Sequence, residues 1–277
     1  MPTRDYETVT YEEREGVAWV TLNRPDRHNA FNHKMQKEMR DIWRSMRSNE
    51  DVRVAVLTGA GDKAFCTGID RMEQMGGEST EDSDYMLVGS HGGTPFHFND
   101  PGDNLGPKSC DLWKPVIAAV NGMACGGAFY MLGEVEFIVA AEHATFFDPH
   151  VTYGMTASFE PIHMSGITPF CEIMRMSLMG NYERVTAQRA YEIGMVSEVV
   201  PRDQLLDAAG YCATVIAQQP KLAIEGTVRA LWGAREFGSR AAVRLGYAYV
   251  GLGTSQASIA EGQKVFESGK RIKWRAR

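Results

Sequence analysis

One stretch of the sequence, residues 114–130 (KPVIAAVNGMACGGAFY), restricts the fold more than any other. Its apolar run at 115–120 is short and continuous, which is typical of a strand covered on both faces. Glycines follow and allow a sharp turn before a helical pattern that starts at about Gly127. The first N–H groups of a helix have no partner inside it and lie at the positive end of its dipole, so this turn is suited to an anion or a developing oxyanion.

The order of strand, glycine turn and helix also occurs at dinucleotide sites, at phosphate sites and at purely structural turns. The stretch has no G-x-G-x-x-G and no G-x-x-x-x-G-K-[ST], which weakens nucleotide phosphate binding. It also has no G-x-S-x-G nucleophile elbow. The remaining interpretation is catalysis by main-chain N–H donors without a side-chain nucleophile.

Two further segments identify the family. Residues 52–58 predict a second buried strand, which leads into the glycine-bearing loop 59–70 (GAGDKAFCTGID). Together with residues 23–31 (NRPDRHNAF), these segments resemble the crotonase (enoyl-CoA hydratase/isomerase) superfamily, and the motifs stand in that family's order. The resemblance extends through residues 187–201 to the C-terminal helices and so covers nearly the whole chain.

The resemblance implies an α/β fold, with a crotonase-like spiral of β-β-α units over residues 1–200 and a C-terminal helical segment over 201–277 that mediates trimer formation. It also implies an acyl-CoA thioester as substrate and a homotrimer or a dimer of trimers. By position, the two oxyanion-hole donors are the N–H groups of Ile69 and Gly127. One such donor is worth about 3 kcal/mol of barrier in acyl-transfer enzymes. The alternative is that both loops are only tight turns.

Two positions depart from the hydratase pattern of the family. Tyr130 and His150 stand where the hydratases that the chain resembles have glutamates. Hydration of an enoyl thioester needs one group to activate water and another to protonate Cα. We therefore expect altered chemistry: hydrolysis, C–C bond cleavage or isomerisation. The alternatives are a conventional hydratase that uses unidentified residues and a non-catalytic CoA-ester-binding subunit.

A histidine and a carboxylate supply the expected acid–base groups. Glu160 follows His150 by ten residues, after a turn, so a His150–Glu160 dyad is predicted to activate water, with Tyr130 as a hydrogen-bond donor or acid. Asp148 is a second candidate base, although its place before a proline equally suits a turn. The alternative to the dyad is that His150 packs under the loop and Glu160 caps a helix.

The resemblance also implies where CoA binds, and CoA enters only as part of the substrate. No tightly bound cofactor and no metal site are predicted. The adenine and pantetheine path is expected along the backbone at His28, Asn29 and Ala30 and at Ala64 and Phe65, with Ile69 at its inner end. Contacts with the nucleotide are expected from Arg27, Phe266 and Lys270.

Composition excludes other classes of protein. The formal net charge of −6 argues against general nucleic-acid binding. The chain has no run of 18 apolar residues and begins with a polar segment, so neither a membrane span nor a secretory leader is expected. The five cysteines lack C-x-x-C spacing, which predicts reduced thiols, mostly packed inside, and a cytoplasmic location.

Residues 76–107 are a long glycine- and proline-containing stretch, predicted as a loop with one short helix near 82–88. The resemblance implies that this loop covers the acyl pocket. The loop is either a lid without catalytic groups or the carrier of a histidine, His91 or His97, that reaches the acyl group. Elsewhere the pattern predicts a strand at 17–22, and helices at 203–218, 221–235 and 255–268. An apolar stripe at helical spacing predicts a core helix through Met35, Met39, Ile42, Trp43 and Met46.

Overall fold

The computed structural model describes residues 5–72, 100–269, 272 and 274–276. Three predictions from the sequence lie outside these residues. They are the short helix at 82–88, the histidines His91 and His97, and the nucleotide contact of Lys270.

The strands of the described chain form two sheets. They are β1 Val9–Arg14, β2 Val17–Leu22, β3 Val54–Gly59, β4 Ala64–Cys66, β5 Val116–Val120, β6 Met123–Cys125, β7 Phe137–Ala141, β8 Thr145–Phe147, β9 Val185–Thr186 and β10 Glu198–Val200. The larger sheet has the order β1-β2-β3-β5-β7-β10 and the smaller sheet β4-β6-β8-β9. Pairing is parallel except for β1 with β2 and β8 with β9. The strands predicted at 17–22, 52–58 and 115–120 are confirmed as β2, β3 and β5.

Helices cover the sheets and form the C-terminal part of the chain. They are α1 His33–Ser48, α2 Gly102–Leu105, α3 Ala128–Leu132, α4 Phe159–Met164, α5 Phe170–Met179, α6 Ala187–Glu192, α7 Leu205–Ala217, α8 Lys221–Phe237, α9 Ser239–Gly253 and α10 Gln256–Glu267. Short 3-10 helices occupy Pro25–Arg27, His150–Tyr153, Gly180–Tyr182 and Arg202–Gln204.

The core follows directly from the apolar patterns. Every residue of β3 and of β5 is buried, because parallel strands in the centre of a sheet are covered on both faces. The predicted stripe is confirmed in α1, where all five side chains are fully buried. Asn32 begins this helix, and its side chain accepts a hydrogen bond from the N–H of Met35 at 2.9 Å.

The C-terminal helices agree with the sequence in type and differ in detail. Helix α7 starts at Leu205 instead of 203, because the residues after Pro201 first form a 3-10 turn. Its buried face, which includes Ala209 and Ala213, packs on the larger sheet. The division of the chain at residue 200 stays a prediction.

Helix α9 has no counterpart among the predicted helices. It contains three glycines, Gly246, Gly251 and Gly253, which lower helix propensity and weaken the apolar periodicity. Packing against α8 stabilises it. A Cβ on Gly253 would lie 3.3 Å from the Cα of Gly226 in α8, so glycines on both sides allow the two backbones to approach closely.

The end of the predicted loop 76–107 is helical instead, which corrects the sequence interpretation for its last residues. Asp100 accepts the N–H of Gly102 at 2.7 Å and so starts the short helix α2. Leu105 is buried, and its carbonyl accepts the indole N–H of Trp43 at 2.9 Å. These contacts tie the segment into the core beside α1.

The cysteine prediction is confirmed for three of the five residues. All five thiols are free. Cys66, Cys110 and Cys125 are buried, Cys171 is exposed and Cys212 is half-buried. Burial raises the pKa of each of the three buried thiols to about 12.

Searched over the described residues, the chain contains no helix with the length and apolar character that crossing a membrane requires.

Candidate functional site

The smaller sheet ends at a cavity. Strands β4, β6 and β8 run parallel, so their carboxyl ends lie at one edge, and the loops that follow them surround a space of about 420 Å³. Loops at the carboxyl ends of parallel strands are the usual place for a binding site. The residues that line it include Phe31, Ile69, Gly127, Tyr130, His150 and Glu160.

Two main-chain amides on one wall of the cavity have no internal acceptor. Phe31 donates its N–H to the carbonyl of Gly68 at 2.8 Å and accepts the N–H of Asp70 at 2.9 Å. This bridge leaves the N–H of Ile69 directed to the other side. Among the residues that the structure describes, neither the Ile69 nor the Gly127 N–H donates to any group. We call these two N–H groups the amide pair.

The amide pair comes together because the two loops meet backbone to backbone. A Cβ on Gly68 would lie 3.0 Å from the nitrogen of Gly127, and Gly68 has φ +83°, where side chains are strained. On the other side, a Cβ on Gly127 would lie 2.5 Å from the ring of Phe31. Glycine at both positions therefore permits the approach.

The opposite wall carries titratable side chains. His150 begins a 3-10 helix directly after β8, and its ring lies between two carboxylates. Its Nδ1 is 2.5 Å from Oδ1 of Asp148, and its Nε2 is 3.4 Å from Oε1 of Glu160 on α4. The predicted contact between His150 and Glu160 is thus confirmed, whereas the catalytic role of the dyad stays a prediction. Tyr130, His150 and Glu160 together form what we call the acid–base wall.

The position of Asp148 corrects its predicted role as a candidate base. Asp148 is fully buried and lies behind His150, outside the cavity. Its Oδ1 also accepts the main-chain N–H of His150 at 3.0 Å. A group in this place orients the imidazole and cannot reach a substrate.

The charge of His150 bears on its part in the predicted dyad. Hydrogen bonds to Asp148 and Glu160, together with their charges, outweigh desolvation and raise the pKa of His150 to about 10. The imidazole is therefore protonated at neutral pH and has no lone pair with which to accept a proton. The geometry favours Glu160 as the proton acceptor and His150 as the proton donor.

Tyr130 belongs to a second hydrogen-bonded group. Its hydroxyl donates to Oδ2 of Asp100 at 3.1 Å. Burial first, and then the charges of Glu160 and Asp100, raise the pKa of the Tyr130 hydroxyl, so it acts as a neutral donor. Burial likewise raises the pKa of Asp100. No sequence signal marks Asp100 as a site residue, because Asp-Pro-Gly at 100–102 indicates only a turn.

The residues expected to bind CoA lie outside the cavity, except Ile69. Asn29 is buried, and its side chain donates to the carbonyls of Ala60 and Ala64 at 2.9 Å, which brings the segments 28–30 and 64–65 together. The main-chain N–H groups at 28–30 donate within the turn. Ala64 and Phe65 are buried, while Arg27 and Phe266 are exposed. Their contacts with CoA stay predictions.

The described residues also contain no group of three His, Cys, Asp or Glu side chains arranged to hold a metal ion. The acid–base wall is held by polar contacts of its own side chains with one another and with Asp148 and Asp100.

Comparison with known proteins defines the class. The family model for enoyl-CoA hydratase/isomerase matches residues 12–277. (E)-benzylidenesuccinyl-CoA hydratase of Thauera aromatica is 33% identical over 223 residues, which cover 80% of this chain and 81% of that protein. Carnitinyl-CoA dehydratase of Salmonella arizonae is 33% identical over 236 residues, 85% of this chain and 82% of that one. A crystal structure of an enoyl-CoA hydratase/isomerase from Mycobacterium paratuberculosis has a TM-score of 0.81 at 33% identity, covering 98% of this chain and 99% of that chain.

The chain belongs to the enoyl-CoA hydratase/isomerase (crotonase) family. The predicted family and α/β crotonase fold are confirmed, with two mixed sheets and C-terminal helices. The protein is therefore a crotonase-family enzyme that acts on acyl-CoA, in a family that typically needs no further cofactor.

Proposed function

We propose that the enzyme adds water reversibly across the Cα–Cβ double bond of an enoyl-CoA thioester. The main observation in support is that one cavity is lined by both the amide pair and the interacting side chains of Glu160 and His150. The sequence disfavoured hydration because both glutamate positions are occupied by other residues. Glu160 supplies a carboxylate beside those two positions, which removes that objection. The relatives named above, a hydratase and a dehydratase, support the same reaction class.

The thioester carbonyl oxygen accepts the N–H groups of Ile69 and Gly127. When oxygen adds to Cβ, an electron pair moves through the conjugated system onto this carbonyl oxygen and forms an enolate. Fixed N–H donors stabilise that charge more than they stabilise the neutral ground state, and each contributes about 3 kcal/mol.

Protons move along the opposite wall. Glu160 accepts a proton from water as the water oxygen bonds to Cβ. The protonated His150 gives its Nε2 proton to Cα as the enolate collapses to the thioester. The proton then passes from Glu160 to the neutral imidazole across the 3.4 Å contact, which restores both groups. Asp148 holds the imidazole in place throughout.

C–C bond cleavage is the second candidate. The same Glu160 would direct water at a β-carbonyl, and the bond to Cα would break with its electron pair delocalised as an enolate at the amide pair. The contact of Asp148 with Nδ1 of His150 favours this candidate, because such a carboxylate fixes the imidazole that returns the proton to Cα. Hydrolysis and isomerisation would use the same amide pair, with all or some of the side chains of the acid–base wall.

A product assay in 2H2O separates these reactions. The enzyme is incubated with crotonyl-CoA, a β-ketoacyl-CoA, a cyclic β-diketone and a saturated acyl-CoA, and products are identified by mass spectrometry. We expect a 3-hydroxyacyl-CoA with deuterium at Cα, together with loss of enoyl absorbance. Free CoA together with the intact carboxylic acid would indicate hydrolysis, and chain fragments would indicate C–C cleavage. Binding without turnover on the whole panel would indicate a CoA-ester-binding subunit.

The CoA path and the assembly complete the proposal. The turn at 28–30 uses its N–H groups internally, so contacts with adenine fall to its carbonyl oxygens.

The C-terminal helices present large exposed apolar side chains, which supports a homotrimer or a dimer of trimers. Examples are Leu231, Val243, Tyr247, Leu252 and Phe266. Light scattering coupled to size exclusion tests this against a 30.7 kDa monomer. A cytoplasmic location stays a prediction from the cysteines.

A further inference from the structure

Two arginines that the proposed reaction does not use line the same cavity. Arg71 follows Ile69 by two residues, and Arg184 immediately precedes β9. The two guanidinium groups give this part of the cavity a positive character, and Asn181 lines it as well. The acid–base wall, by contrast, carries the carboxylate of Glu160.

Each guanidinium rests on an aromatic ring. The Cζ of Arg71 is 4.4 Å from the ring centroid of Tyr153, and that of Arg184 is 4.3 Å from the ring centroid of Phe147. Stacking occupies the face of a guanidinium and keeps its edge, with the N–H donors, available for a planar anion.

The polar contacts of these arginines are weak. Arg71 Nη2 is 3.9 Å from the sulfur of Met155, and Arg184 Nη1 is 3.3 Å from the sulfur of Met123. A thioether is a poor acceptor, whereas a guanidinium has five N–H donors. Within the described ranges, the ion pairs include neither arginine. Twelve other pairs there involve an arginine or a lysine, namely those of Arg24, Arg27, Lys34, Arg47, Arg53, Lys108, Arg175, Arg189 (twice), Lys221, Arg229 and Arg275.

Both arginines lie beside the amide pair. Arg71 is attached to the segment that supplies the Ile69 N–H. Arg184 is connected to the second donor through the Phe147 ring on which it stacks, because the carbonyl of Phe147 accepts the N–H of Gly126, the residue before Gly127, at 3.3 Å. A thioester carbonyl at the amide pair would therefore place its acyl group within reach of two cations.

We propose that Arg71 and Arg184 bind a carboxylate carried by the acyl group, so that the substrates are CoA thioesters of dicarboxylic acids. This inference rests on the proposed function, because it takes the thioester carbonyl to lie at the amide pair. A carboxylate is planar and accepts two N–H groups from one guanidinium, which matches the donor edges of stacked arginines. Asn181 supplies a further uncharged donor at the same surface.

The phosphates of CoA are the other anions that could meet these arginines. The pantetheine arm separates them from the thioester, whereas both arginines are adjacent to residues that flank the amide pair. This proximity favours the acyl carboxylate. The test must nevertheless separate the two sources.

The test measures the Kd of succinyl-CoA and glutaryl-CoA and of their terminal methyl esters by calorimetry. Wild-type enzyme is compared with Arg71→Gln, Arg71→Lys and Arg184→Gln. Arg14→Gln is the matched control, since Arg14 stacks 4.4 Å from the ring centroid of Trp19 outside the cavity. We expect the wild type to prefer at least one free acid over its ester by about 10–100-fold. Each glutamine variant should bring that ratio towards one, Arg71→Lys should retain part of it, and the control should keep it.

Two results would overturn the inference. The first is a wild-type ratio near one for both acids. The second is that the glutamine variants bind acid and ester more weakly by the same factor, and that this loss of affinity is absent when pantetheine thioesters replace the CoA thioesters. That result would assign the arginines to the CoA phosphates. The measurement of Kd does not require turnover. If the preference for the free acid over its ester is retained but the hydration assay fails, the proposed reaction is wrong and the carboxylate site is still supported.

Discussion

The two walls of the cavity differ in how they respond to their surroundings. The amide pair consists of main-chain N–H groups, whose charge distribution is independent of pH and whose position is set by close backbone contact. The acid–base wall consists of side chains whose protonation depends on their neighbours. Stabilisation of the enolate should therefore depend on backbone geometry alone, and the pH dependence of the enzyme should come from the acid–base wall.

The largest expected effect is on the acid–base wall. Glu160→Gln keeps the shape of the side chain and removes the proton acceptor, so we expect kcat to fall by about 10²–10⁴-fold. Steady-state kinetics with the substrate found in the product assay measures the loss. Glu142→Gln, an exposed carboxylate after β7, is the matched control and should leave kcat unchanged. A kcat within a factor of about ten of wild type would remove Glu160 from the mechanism.

The next effect is on the amide pair. Gly127→Ala places a Cβ 2.5 Å from the Phe31 ring, so the backbone must shift and the N–H loses its alignment. We expect kcat to fall by about 10²-fold, near the lower end for losing one oxyanion donor, with the pH profile unchanged. Gly246→Ala controls for the general cost of the substitution, because Gly246 is helical and a Cβ there meets no atom within 4 Å.

The double variant Gly127→Ala/Phe31→Leu sharpens this prediction. A smaller residue at 31 makes room for the Cβ and should restore part of kcat. A changed pH profile in Gly127→Ala would contradict the separation between the two walls, because it would mean that the amide turn sets the protonation of His150.

The third effect is a shift of pH dependence. The pKa of His150 is about 10, and the first cause is its hydrogen bond to Asp148. Activity that needs the imidazolium should be constant around neutrality and fall as pH rises through about 10. Asp148→Asn removes that cause, so the alkaline limb of kcat/KM should move down by about 1–3 pH units. Asp207→Asn, an exposed residue in the first turn of α7, should not move it.

The same group affects stability with a definite sign. The folded-state pKa of His150 lies above its unfolded value of about 6.5, so its contribution is fully present below about pH 6.5 and is lost as pH rises towards 10. Chemical denaturation at pH 6 and pH 9 should show a larger loss of stability with pH for the wild type than for His150→Gln. Equal losses in the two proteins would show that the pKa of His150 is not raised in the folded state.

The two walls also differ in how far the sequence predicted them. Strand patterns and glycines indicated turns suited to main-chain donors, because both signals are local, and the resemblance to the crotonase superfamily assigned the donors to Ile69 and Gly127. The dyad of His150 and Glu160 was predicted from the two departures from the hydratase pattern together with the spacing, but the direction of proton transfer was not predicted. That direction depends on the burial of Asp148 and on distances of a few ångströms, which only packing sets.

The rest of the site could not be found in the sequence for the same reason. Asp100 and Tyr130 form a hydrogen bond although they are 30 residues apart in the sequence, and Arg71 and Arg184 come from separate parts of the chain. No local pattern relates them. The fold was predictable where apolar periodicity is strong, as in α1 and β5, and it was missed in α9, where glycines dilute that periodicity and contact with α8 replaces it.

The smallest expected effect concerns the thiol beside the amide pair. Cys125 lines the cavity two residues before Gly127, and a thiolate there would offer a nucleophile that the proposed reaction does not need. Burial raises the pKa of Cys125 to about 12, so it stays a thiol at neutral pH. Cys125→Ala should therefore change kcat/KM by less than about threefold, roughly 0.7 kcal/mol.

Alkylation provides the second measurement of this thiol. Iodoacetamide at pH 8 should label the exposed Cys171 and spare Cys125, as read by peptide mass spectrometry. Cys171→Ala should abolish that label and leave the rate unchanged. A substrate-derived acyl adduct on Cys125, or a loss of activity in Cys125→Ala as large as that in Gly127→Ala, would contradict the view that this wall acts through its main chain, because the wall would then hold a covalent nucleophile.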